Sequence, residues 1–64
     1  MAEKVRLYST KDGRFFGRRI VYHGEVNEFG DRDEYYLDRY GNKRILGLEG
    51  LEVDPNDRDK IIKR

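Results

Sequence analysis

The chain has 64 residues, 36% of them hydrophobic and 42% charged, with no cysteine and a formal net charge of +1. One domain is expected at this length, burying only about 60% of its unfolded surface, so the core is thin. The absence of cysteine excludes a disulfide framework, a thiolate nucleophile and a Cys-based zinc site, while five Tyr and three Phe at near-zero net charge argue against disorder. Apolar runs fall far short of the roughly 20 residues of a membrane span. The first residues also lack the apolar core of a signal peptide, so the expected setting is cytoplasmic, away from membranes.

Residues 1–4 read as a short tail and residues 5–9 as the first strand. Asp12-Gly13 then supplies a tight turn into a second strand over residues 15–22, because Asp-Gly suits the positive-φ positions of a two-residue hairpin loop. In that register Val5, Leu7, Phe16, Ile20 and Tyr22 share the core face together with Arg18, and Arg6, Tyr8, Phe15, Arg19 and Val21 point the other way. A three-residue loop from Lys11 to Gly13 would re-pair every side chain across the hairpin. Residues 23–33 carry Gly24, Asn27 and Gly30 among acids and read as a long turn or loop anchored by Val26 and Phe29.

Strand character returns through Tyr35-Tyr36-Leu37, Tyr40-Gly41-Asn42 makes a second turn, and residues 43–46 form a fourth strand. Gly47 and Gly50 bracket a tight connection to a fifth strand at residues 51–53, which closes the sheet region of residues 5–53. From there Asp54 can cap a helix with Pro55 in its first position, acids Asp57 and Asp59 near its positive end, and Lys60, Lys63 and Arg64 near its negative end. Residues 54–64 are therefore a short helix or a frayed tail, since so short a helix is marginal alone.

The charge is divided along the chain. Residues 1–24 hold Lys4, Arg6, Lys11, Arg14, Arg18 and Arg19 against Glu3 and Asp12, a net of +4 that leaves −3 for residues 25–64. In the hairpin these cations interleave with Tyr8, Phe15, Phe16 and Tyr22, the pairing of phosphate-binding and base-stacking residue types that a nucleic-acid surface needs. The competing reading buries the aromatics and leaves the cations as a solvated face. His23 near Glu25, Glu28 and Asp31 is a surface histidine rather than a metal or acid-base centre, since a lone His would need carboxylates to complete a zinc site. The acids of residues 25–33 lack the calcium-loop pattern, and Gly47-x-x-Gly50 lacks the Lys-Ser or Lys-Thr of a phosphate loop. Ser9 and Thr10 have no neighbouring base. No enzyme, cofactor or metal is expected.

Val5-x-Leu7 followed by Lys11-Asp12-Gly13-Arg14-x-Phe16-Gly17 resembles the opening of the Sm motif, with His23 and Asn27 at positions where that family has Asp and Asn. Gly13 and Gly17 lie one residue closer than the family spacing, and Leu46-Gly47 stands where the family has Arg-Gly. Of the family's base pocket only Asn27 is kept, so the resemblance implies the fold more than uridine binding and leaves ring assembly open. Thr10-Lys11-Asp12-Gly13-Arg14 and Tyr36-x-Asp38-x-Tyr40-Gly41-Asn42-Lys43 also resemble two turn segments of small bacterial envelope lipoproteins of Sm-like fold, whose lipidated Cys this chain lacks.

These readings converge on an all-β, five-stranded SH3-like (Sm-like) barrel acting as a non-enzymatic binding module. Nucleic acid is the first expected partner, met by Arg6, Tyr8, Lys11, Arg14, Phe15, Arg18, Arg19 and Asn27. Protein association, including a homo-oligomer formed through exposed strand edges, is the alternative.

Overall fold

A computed structural model describes residues 2–63, so Met1 of the expected N-terminal tail and Arg64 of the expected C-terminal segment lie outside the described residues. Six strands form two three-stranded antiparallel sheets. One has the order β2-β1-β6, from Phe15–Arg19, Val5–Ser9 and Leu51–Val53; the other has the order β3-β4-β5, from Tyr22–Val26, Arg32–Leu37 and Lys43–Ile45. The sheets do not close into a barrel, and the single strand expected over residues 15–22 is divided at Ile20-Val21, where the chain leaves one sheet and enters the other.

That division corrects the expected core. Val5 and Leu7 are fully buried as expected, but so is Val21, which simple alternation sent outward, whereas Phe16 is 46% exposed. The loop is longer than expected but keeps the facing parity, whereas a bulge reverses it. The hairpin loop spans residues 10–13, with the Ser9 N–H bonded to the Arg14 carbonyl and the Gly13 N–H to the Ser9 carbonyl. Asp12 has no positive φ, only Gly13 does (72°), and the turn is neither the two-residue nor the three-residue loop. Tyr8 then pairs with Phe15 while Leu7 pairs with Gly17, leaving Phe16 as a bulge.

Val5, Leu7, Val21, Tyr36, Leu46, Leu51, Val53 and Ile61 form the core. Leu46 reaches it from a single helical turn, α1 (Leu46–Glu49), which replaces both the end of the expected fourth strand and the tight Gly47-to-Gly50 connection. Truncating the fully buried Leu7 to Ala would cost about 2–5 kcal/mol, a large part of the stability of so small a domain. The expected long loop over residues 23–33 shrinks to residues 27–31, because residues 22–26 and 32–37 pair as β3 and β4.

Residues 55–60 form a 3₁₀ helix that begins as read from the sequence, with Pro55 inside and the Asp54 side chain accepting from the Asn56 N–H at 2.9 Å. It does not fray. The Arg6 N–H donates to Asp57 Oδ2 at 3.0 Å where the β6 ladder ends, Ile61 is buried, and Ile62 bridges Tyr22 in parallel. This N–H bond holds the Asp57 carboxyl below its ordinary value, against the opposing effect of burial and with help from Lys60 and the Arg6 charge.

Candidate nucleic-acid interface

Residues directly opposite across a strand pair share a face. Arg6 opposes Arg18 and Tyr8 opposes Phe15, so these four residues lie together on the outer face of the β2-β1-β6 sheet. The N–H and C=O of Arg6 bond to Asp57 and to the Asp54 N–H, on the β6 side. Arg6 and Arg18 are therefore a non-hydrogen-bonded pair, the kind in which side chains approach most closely. Like charges so placed destabilise the sheet, and among the described residues no carboxylate forms an ion pair with either guanidinium. Beside them the Tyr8 and Phe15 rings meet edge to face at 5.6 Å, with Phe15 56% exposed.

An acidic margin bounds this face. Glu52 opposes Tyr8 from β6, and the Tyr8 hydroxyl donates to Asp54 Oδ2 at 3.3 Å. Lys11 and Arg14 stand at the hairpin end; Arg14 is 3.6 Å from Asp12 in an exposed pair of small energetic weight.

Two expected members lie elsewhere. Arg19 opposes Val5 on the other face, where its guanidinium covers Phe16 at 5.3 Å and Tyr36 at 5.7 Å and donates to the Arg18 carbonyl at 2.8 Å. Asn27 is absorbed by its own turn: its Oδ1 accepts from the Phe29 and Asp31 N–H groups and its Nδ2 donates to Asp33. Both ends of that amide are thus engaged within residues 27–33. His23 is half-buried rather than a surface residue, and its Nδ1 is buried without a hydrogen-bond partner among the described residues.

The fold also assembles a second basic and aromatic surface that sequence reasoning missed. A cleft of about 370 Å³ is lined by Arg19, Tyr36, Leu37, Asp38, Tyr40 and Arg44, with Arg39 beside Tyr40. Its rim is the turn of residues 38–42, in which Asp38 Oδ1 accepts from the Tyr40 and Asn42 N–H groups at 2.9 Å and Asp38 Oδ2 from Arg44 Nε at 3.1 Å. The Asn42 N–H contributes most to holding the Asp38 carboxyl below its ordinary value; burial opposes it, and Tyr40 and Arg44 reinforce it. Tyr40 is 78% exposed, with Arg39 over its ring at 5.8 Å. The available signal is Arg39, Lys43 and Arg44 around a turn recognisable in the sequence, but those cations are separated along the chain from Arg19 and Phe16.

Among the described residues no group of three or more His, Cys, Asp or Glu side chains is arranged to hold a metal ion. No helix there is long and apolar enough to cross a membrane. Comparison with protein-family models, with curated proteins and with solved structures finds no match to this chain.

Proposed function

We propose that the chain is a non-enzymatic binding module that takes nucleic acid on the outer face of the β1-β2 hairpin. The observation that carries this reading is the opposed Arg6-Arg18 pair beside the Tyr8-Phe15 rings. Two cations held side by side with no carboxylate in an ion pair to either weaken the apo protein and are relieved by a phosphate lying between them. Lys11 extends the basic surface toward the hairpin end, and Phe15 offers a ring on which a base can stack. The cytoplasm, where nucleic acid is met, is part of the same proposal.

Titration with single- and double-stranded nucleic acids at two salt concentrations tests it. Binding weakens as salt rises, and Arg6→Ala with Arg18→Ala lowers affinity for every sequence while reducing the log-log salt slope by about one for each phosphate that is no longer neutralised. Absence of binding at low salt ends this reading.

We further propose an SH3-like barrel of the Sm-like kind, opened between its sheets. The sheet orders β2-β1-β6 and β3-β4-β5, the short passage from β2 to β3, and a helical turn before β6 support it. A second functional reading, assembly through strand edges, draws on the position of β5 at the end of its sheet. At the β2 edge the Arg19 guanidinium occupies the Arg18 carbonyl, which disfavours pairing there. Assembly requires a discrete oligomer in sedimentation and a thermal midpoint that rises with protein concentration; a monomer throughout removes the homo-oligomer.

A further inference from the structure

Adjacent residues of β2 straddle one sheet edge. Phe15 and Arg18 face outward with Arg6 and Tyr8, whereas Phe16 and Arg19 lie on the opposite side against Tyr36. The edge therefore carries an aromatic ring and a guanidinium on both sides. Arg19 is held in place rather than free: it donates to the Arg18 carbonyl, lies over two rings, and occupies space beside Gly17, where a Cβ would come within 3.1 Å of its Nη1. No carboxylate forms an ion pair with Arg19 or Arg39 among the described residues, and the one acid lining the cleft, Asp38, is engaged by two N–H groups and Arg44. The cleft thus presents uncompensated positive charge next to the exposed Tyr40 ring.

We propose that the ligand is a single strand of nucleic acid that crosses the β2 edge from the hairpin face into this cleft, with phosphates at Arg18, Arg19 and Arg39 and a base stacked on Tyr40. This rests on the nucleic-acid reading above and adds strandedness and a path. A duplex, with a persistence length of about 50 nm, cannot turn around the edge of a molecule 28 Å across, whereas a single strand can. The turn of residues 27–31 supplies an internal control, because it presents Phe29, 80% exposed, between Glu28 and Asp31.

The test is an anisotropy titration of the full chain with labelled oligothymidylate, oligouridylate and a duplex of equal length at low salt. Either or both single strands bind more tightly than the duplex, which also separates DNA from RNA as the source. Tyr40→Ala weakens single-strand binding roughly 5- to 100-fold and leaves duplex binding unchanged. Arg39→Ala flattens the single-strand salt slope by about 0.7, and Phe29→Ala changes neither. Unchanged single-strand affinity in Tyr40→Ala, or equal affinity for duplex, overturns the single-strand path; a simultaneous loss in Arg18→Ala would leave the hairpin reading standing. Absence of binding to all three probes overturns both.

Discussion

The turns of residues 27–31 and 38–42 share one construction and differ in charge. In each, an Asn or Asp side-chain oxygen accepts from the N–H groups two and four residues on, and the first residue's carbonyl accepts from the glycine N–H. The glycines, Gly30 at φ 85° and Gly41 at φ 80°, take the left-handed position of a three-residue hairpin loop. Each turn holds an aromatic ring almost fully in solvent. Phe29 sits between Glu28 and Asp31 in the chain, whereas Tyr40 lies beside Arg39 in a cleft that Arg19 and Arg44 also line. Backbone geometry therefore displays the ring, and neighbouring charge selects what meets it.

The largest expected effect breaks the shared construction. Asn27→Ala removes three side-chain hydrogen bonds and should cost about 2–3 kcal/mol, read as a fall in thermal midpoint of about 4–8 °C per kcal/mol. Asp38→Ala should lower the midpoint further, since its three hydrogen bonds are accepted by a carboxylate and one comes from the Arg44 guanidinium; a smaller loss than in Asn27→Ala would show that the charge of the cap adds nothing. A Cβ at Gly30 or Gly41 meets no atoms within 4 Å, so Gly30→Ala and Gly41→Ala should each cost only the left-handed strain, about 1–2 kcal/mol, with equal denaturant midpoints.

Charge is the next variable. Glu28→Lys with Asp31→Lys gives the first turn the sign of the second and should raise single-strand affinity on the order of tenfold, checked by titration at low salt. The smallest effect separates the turns by acid. A carboxyl whose folded value is depressed stabilises the fold above its ordinary 3.8 and loses that contribution as pH falls through the lower folded value. Amide resonances of Tyr40 and Asn42 should therefore shift in that window while those of Phe29 and Asp31 show no such transition from their cap, because Asn27 does not titrate. Asp57 follows the same sign, and Asp57→Asn should weaken the acid dependence reported by the Arg6 amide.

The strands of the hairpin were legible because Val5, Leu7 and the aromatics of β2 carry strand character locally. Their partition between faces was not, since the bulge at Phe16 reverses the parity that alternation assumes across the hairpin. Arg6, Tyr8 and Phe15 share a face as alternation implies, and the bulge exchanges the two arginines, bringing Arg18 to that face and turning Arg19 to the other. Asn27 misled for a different reason: the residue type that contacts bases also closes turns, and only the positions of the Phe29 and Asp31 N–H groups distinguish the two uses. The cleft stayed hidden because Arg19 and Arg44 meet only after the two sheets pack.

The Asp57 carboxylate that completes the hydrogen bonding of Arg6 lies 51 residues further along the chain, and β1 cannot gain its second neighbour until residues 51–53 reach it. Such distant pairing puts the domain among slow folders for its size, on a scale of roughly milliseconds to seconds rather than microseconds. During synthesis the early hairpin must wait with one flank of its central strand unpaired. The positive charge of Arg6 and Arg18 then serves a second purpose, repelling the like-charged hairpin of another nascent copy from that open flank.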